Sequence, residues 1–367
     1  MRRRTRPPVK QDEIVAHLRG LILRGRLKPG ERIPARTEIE RLFDTSSVTA
    51  QRAFDRLVED RFVVVQGKRG TFVAERPPHL YHYALCFPQT MDSGQWVRFW
   101  TVLGNVARAM EKSNPCRVSI YNGINKRVAT EDYRRLLEDV AARRLGGIIF
   151  ATNPHLVEGT PILEEPEIPR VAMMSAPVQP GVLGVSFDST AFLERAVEFL
   201  VSRGRRRLAT IVVPHFVESL LPKFENVLAA HGLVFHPYWV QMAFQPESAW
   251  AAHLAELLAR GPKGERPDGL IIVDDNLVEP ACRGLLQAGL RVPADVDVVA
   301  HCNFPPPVSS VVPVSRLGYD IFGVLELCLE LLNRQRRKEA VPEVTPVVPQ
   351  FEWEVREEHR VPSALTA

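Results

Sequence analysis

The chain has 367 residues, 45% hydrophobic and 25% charged, with a formal net charge of +4. That composition is ordinary for a globular protein and long enough for two or three cores at roughly 100–200 residues per domain. No apolar run nears the ~18–20 residues that span a bilayer, and the basic start, MRRRTRPPVK, lacks the apolar stretch of a secretion signal. A cytoplasmic protein with no membrane partner is therefore expected. The five cysteines (86, 116, 282, 302 and 328) are odd in number, scattered and without a C-x-x-C pair. Buried thiols are expected in place of a disulfide framework or zinc site.

Charge is unevenly divided. Residues 1–74 carry 17 Lys plus Arg against 9 Asp plus Glu, a net +8, which leaves −4 for the other 293 residues. A basic N-terminal part favours a polyanionic partner, because neutralising phosphates releases counterions.

In chain order, residues 1–9 read as a flexible basic arm, and Ile14, Leu18, Leu21 and Ile22 form one stripe of a helix over 12–24. A turn and short strand follow over 27–34, then a helix over 36–43 burying Ile39, Leu42 and Phe43. In the next helix, TSSVTAQRAFDRL from Thr45, an apolar stripe of Val48, Ala53, Phe54, Leu57 and Val58 opposes Ser46, Ser47, Thr49, Gln51 and Arg52. A cap at Ser46 or Thr45 is expected. The polar face bears side chains that donate to phosphates and base edges, as a major-groove helix requires. Phe62–Val65 and Thr71–Ala74 read as two strands around the glycine-containing basic tip Gln66–Gly70. Three helices and a basic hairpin make a winged helix-turn-helix over 10–74.

These residues resemble the DNA-binding domain of the GntR family of bacterial regulators. The resemblance rests on I-x-x-x-L-R-x-L-I at 14–22, L-K-P-G-E-R-I-P at 27–34, V-T-A-Q-R-A-F-D-R-L at 48–57 and G-x-x-G-T-F-V at 67–73. It implies a recognition helix over about 47–59 in the major groove of double-stranded DNA, with the wing residues Lys68, Arg69 and Gly70 at the backbone or minor groove. Many members carry arginine where this chain has Thr37 and Ser47. That leaves Arg36, Ser46, Ser47, Thr49, Gln51 and Arg52 as the expected contacts, with Gln51 as a reader of adenine.

After a stiff connector at 75–80, short continuous apolar strands alternate with amphipathic helices through residues 81–367. This alternation predicts an α/β domain of parallel sheets covered by helices on both faces. Its length predicts two lobes with a cleft between them. The segment resembles the effector domain of the LacI/GalR family, with its periplasmic-binding-protein fold, through R-L-G-G-I-I-F at 144–150, G-V-S-F-D-S at 184–189, P-D-G-L-I-I-V-D-D-N at 267–276 and four looser motifs. The resemblance implies a small-molecule effector, a carbohydrate among the candidates, bound in the cleft near Trp96, Phe99, Asp188 and Asp275. An arginine common in sugar-binding relatives is missing, with Leu220, Leu221 and Pro222 in that region. An expected Asp is replaced around His301, Cys302 and Asn303.

Enzymatic signatures are not found: H-E-x-x-H, G-x-S-x-G and a phosphate-binding G-x-x-x-x-G-K-S/T are all lacking. No lysine of the second part has a convincing Schiff-base context, so no cofactor is expected. The sequence reads as a homodimeric repressor controlled by a metabolite. The alternative is a DNA-binding protein whose second domain is only a dimerisation scaffold.

Overall fold

The computed structural model describes residues 10–113, 116–174, 179–244, 249–305 and 309–355; the basic arm expected at 1–9 lies outside them. The first unit holds α1 (Lys10–Leu23), α2 (Arg36–Leu42), α3 (Ser47–Glu59) and a hairpin of β1 (Val63–Val65) and β2 (Thr71–Val73). The hairpin is antiparallel, with Val63 opposite Val73. Ile14, Leu18, Ile22, Ile39, Ala53, Phe54, Leu57 and Phe62 form its core.

Three expectations about this core need correction. Val48 and Val58 are exposed, and Ala50 takes a buried place with Ala53, Phe54 and Leu57. The spacing 50, 53, 54, 57 keeps one side of a 3.6-residue helix, which 48 and 58 leave. Leu42 is 64% exposed because the seven-residue α2 makes only two turns and buries Ile39 alone.

The connector also differs from a plain extended linker. Pro77 is extended, and Pro78 opens a single helical turn, α4 (Pro78–Tyr81), where proline's missing N–H costs nothing. Both prolines are buried.

The first lobe comprises β3 (His82–Cys86), α5 (Arg98–Ser113), β4 (Arg117–Tyr121), α6 (Glu131–Ala141), β5 (Gly147–Phe150), α7 (Pro161–Glu164), β6 (Arg170–Met173) and β7 (Leu183–Phe187). The second comprises α8 (Ser189–Ser202), β8 (Leu208–Val212), α9 (Pro214–Ala230), β9 (Val240–Met242), α10 (Trp250–Ala259), β10 (Gly269–Ile272), α11 (Asp275–Gln287), β11 (Asp297–Phe304) and β12 (Ser315–Asp320). The chain returns to the first lobe with α12 (Ile321–Arg336) and β13 (Val344–Val347), then re-enters the second with β14 (Gln350–Phe351).

Strand order is β13-β7-β6-β5-β3-β4 in the first sheet and β14-β12-β11-β10-β8-β9 in the second. Pairing is parallel throughout except for β14, which closes one edge against β12 in the antiparallel sense. Each sheet has a hydrophobic cluster on both faces, which explains the continuous apolar strands.

Three crossings join the lobes, at β7 to α8, β12 to α12 and β13 to β14. At the first two, an aspartate caps the helix that follows. Asp188 accepts from the N–H groups of Thr190 and Ala191, each at 3.0 Å, and Asp320 accepts from that of Phe322 at 3.1 Å.

Within the second lobe α10 and α11 touch at Gly284, where a Cβ would lie 2.1 Å from the backbone oxygen of Ala252. A flexible side-chain tip can retreat from such a contact, whereas a helix backbone cannot. Gly284→Ala is expected to cost at least the ~1–3 kcal/mol typical of overpacking, read as an earlier midpoint in urea unfolding.

Candidate functional site

Two regions bear on function: the exposed face of the first unit and the cleft. On α3, Ser46 is the N-cap, its hydroxyl accepting from the Thr49 N–H at 3.3 Å. Of the two expected caps the helix uses Ser46, and the bond occupies the hydroxyl. Ser47, Gln51 and Arg52 are exposed, as are Arg36 at the start of α2 and Lys68 and Arg69 at the wing tip; Thr49 is half-buried. Gly70 has φ of 113°, and a Cβ there would meet the Arg32 guanidinium at 2.7 Å, so the turn needs glycine.

Arg36 and Gln51 do not stand as separate contacts. Arg36 Nη1 donates to Gln51 Oε1 at 2.6 Å, and Gln51 Nε2 donates to Asp55 Oδ1 at 2.7 Å. Each end of the Gln51 amide therefore spends one of its two hydrogen-bonding positions within the protein. One N–H and one lone pair stay open to a base edge while Arg36 and Asp55 hold the amide in place.

The C-terminus of α3 is anchored on the first lobe. Its C-cap, Asp60, is 3% exposed and meets Arg19 at 2.5 Å, Arg144 at 2.9 Å and Arg56 at 3.6 Å. Arg144 belongs to the lobe, where its Nε also pairs with Asp139 at 2.7 Å. Phe62 stacks on His79 with ring centres 5.7 Å apart, and Arg336 of α12 donates to the His79 carbonyl at 3.2 Å.

Burial pushes both histidines of this junction down to about 4. Arg336 adds to the effect at His79 and Arg117 at His82, with Asp139 opposing it at His82. A folded-state value below the unfolded 6.5 means that the unfolded chain takes up protons first. Stability contributed by the neutral rings is present above pH 6.5 and is lost as pH falls toward 4. Thermal denaturation between pH 7 and 4.5 should show this decline, and His82→Gln should reduce it.

Between the lobes lies a cavity of about 640 Å³. Its residues follow the carboxyl ends of the strands: Ala151, Thr152 and Asn153 after β5, Met173 and Met174 at β6, Phe187 and Ser189 at β7, Val273 to Asn276 after β10, His301 and Asn303 on β11, and Tyr319 on β12. Parallel α/β sheets place ligands there. Asn276 already reaches across, its Oδ1 accepting from the Arg98 N–H of α5 at 3.1 Å.

Among the expected cleft residues, Phe99 and Asp275 line the cavity; Asp188 and Trp96 do not. Asp188 Oδ1 caps α8, and Trp96 packs on Phe87 and Trp100 while its Nε1 donates to Thr101. Trp100, grouped with Trp96 and Phe99 by the same resemblance, does line the cavity. Asp275 is 4% exposed; burial holds its carboxyl above the ordinary range, partly offset by the charge of His301 and the hydrogen bond from Asn303 Nδ2 at 2.9 Å. Asp274 caps α11.

Sequence reading missed Lys223, Ser189, His301 and Asn303 as wall residues. Lys223 was weighed only as a Schiff-base lysine; it lies on α9, which begins at Pro214 and runs through Pro222. Its ammonium donates to Ser189 Oγ at 2.8 Å. The position immediately after each apolar strand was the available signal for Ser189.

Residues 10–73 match the model for bacterial regulatory proteins of the gntR family, and residues 197–357 match a periplasmic binding protein-like domain. The arabinose metabolism transcriptional repressor of Geobacillus stearothermophilus is 22% identical over 348 residues, covering 91% of this chain and 93% of that protein. The HTH-type transcriptional repressor PurR of Aliivibrio fischeri is 24% identical over 229 residues, 59% of this chain and 67% of that protein. In fold, the chain is similar to a LacI-family regulatory protein of Chloroflexus aggregans, with a TM-score of 0.56 at 18% identity over 74% of this chain and 96% of that one. It is similar also to a LacI-family regulator of Lactobacillus casei with bound sucrose, with a TM-score of 0.53 at 18% identity over 74% and 97%.

The class is that of a DNA-binding transcription regulator. Within it, this chain joins a helix-turn-helix domain that matches the gntR model to a domain that matches the periplasmic-binding-protein-like model and shares its fold with LacI-family regulators. Among the described residues, no helix is long and apolar enough to cross a membrane.

Proposed function

We propose that the protein is a cytoplasmic, homodimeric repressor without catalytic activity, released from its operator when a small metabolite enters the cleft. One observation carries the reading: a cavity closed by two hinged lobes sits on the same lobe that grips the C-terminus of the recognition helix through Asp60 and Arg144. Closure can then move that helix. The ligand biases operator binding only by its differential affinity for the open and closed states. Arg36, Ser47, Thr49, Gln51 and Arg52, with Lys68, Arg69 and Gly70 of the wing, are the proposed DNA contacts, with Ser46 setting the helix start. Phe99 and Asp275 are proposed in the effector site, where Asp188 acts by capping α8. A homodimer suits the reading of two half-sites on one duplex.

The sucrose-bound neighbour and the arabinose repressor place carbohydrates among the compounds to be screened. The cavity favours a sensor over a bare scaffold. Thermal-shift screening of a metabolite library tests this: a stabilising compound should also release the operator in a gel-shift assay, and Asp275→Ala should abolish both effects. If no compound stabilises the protein, the scaffold reading is correct.

A further inference from the structure

We infer that the effector is an organic anion with an apolar, ring-sized body. The inference rests on the cleft being the sensor site, and narrows what that site accepts. Three observations carry it.

The first is the state of Lys223. It lines the cavity half-buried, and its ammonium donates to Ser189 Oγ. Among the described residues no carboxylate lies within ion-pair distance of it, although the chain pairs cations freely elsewhere. The cavity's own acids have other partners. Asp274 accepts from the Asn276 backbone and side chain at 2.9 and 2.8 Å, and Asp275 accepts from Asn303. A lobe closing over this ammonium strips its water, and an anionic ligand group would supply the ion-pair partner that Asp274 and Asp275, beyond ion-pair distance of it, do not.

The second is His301. Its Nδ1 is buried without a hydrogen-bond partner on the same wall. A carboxylate or phosphate oxygen accepts from both an ammonium and an imidazole N–H. A hydroxyl serves either one less well.

The third is the aromatic share of the wall. Phe99, Trp100, Phe187 and Phe192 line the cavity beside the polar Thr152, Asn153, Asn276 and Tyr319. An apolar ring gains contact area and aromatic packing against those four aromatic side chains.

A pair of dyes of one shape tests the claim: anilinonaphthalene sulfonate and its neutral parent, phenylnaphthylamine. Fluorescence titration of the full chain should show the sulfonate bound more tightly than the parent. Lys223→Met should weaken the sulfonate roughly tenfold and leave the parent unchanged, and Lys223→Arg should restore binding. Circular dichroism melting confirms that each variant is folded. Equal affinity for both dyes, or sulfonate binding indifferent to Lys223→Met, overturns the anion. If Val97→Trp, which adds bulk to the cavity wall, still weakens the neutral dye, the cleft survives as a ligand site and only the charge preference fails. If neither dye responds to Val97→Trp, the cleft reading fails with it.

Discussion

Asp60→Ala should be the most damaging single change at the junction between reader and lobe. The Asp60 side chain is 1% exposed and faces three guanidiniums from two domains. Burial lowers the pKa of Arg19, and Asp60 is the group that opposes this. Deleting the carboxylate leaves Arg19 buried without its counter-ion and frees Arg144 from the reader. Breaking a buried pair in this one-sided way costs about 3–5 kcal/mol. For a unit of this size the melting temperature should drop on the order of 10 °C or more. Calorimetry should show the reader melting apart from the lobes where the parent shows the two coupled. Asp60→Asn keeps the shape and an accepting oxygen, so its loss should be smaller. If Asp60→Ala melts like the parent, the anchor does not hold the reader.

The second large effect is expected in DNA binding. Arg36 and Gln51 are exposed and joined to each other, so replacing both with alanine removes their proposed contacts and no core packing. A good bidentate base contact is worth about 1–3 kcal/mol. The double variant should lose between about fivefold and a few hundredfold in operator affinity at an unchanged melting temperature. Because Arg36 and Asp55 hold the Gln51 amide, each single variant should alter preference at the same base pair. A preference displaced to separate positions would show instead that Gln51 releases both bonds and reads alone.

What was legible in the sequence follows from where local rules dominate. The hairpin was readable because its glycines sit at positive φ, Gly67 at 56° and Gly70 at 113°, between runs of β-branched residues. The strand and helix alternation was readable because both sheet faces are covered. Hydrophobicity alone misplaced Val48, Val58 and Leu42, since a short unit of three helices has too little interior for every apolar side chain. The cleft was the least legible part. Ser189, Lys223, Asp275 and His301 converge only through the sheet topology, and no local spacing encodes that. Asp188 misled because a helix cap and a ligand contact call for the same side chain in the same strand-to-helix position.

The most direct test is selection of duplexes from a random pool by the full chain, followed by anisotropy titration of the enriched sequence over a range of salt. The account predicts one enriched motif, bound far more tightly than a scrambled duplex, with affinity falling steeply as salt displaces the phosphate contacts. Enrichment of no sequence, together with no duplex binding at low salt, would contradict it.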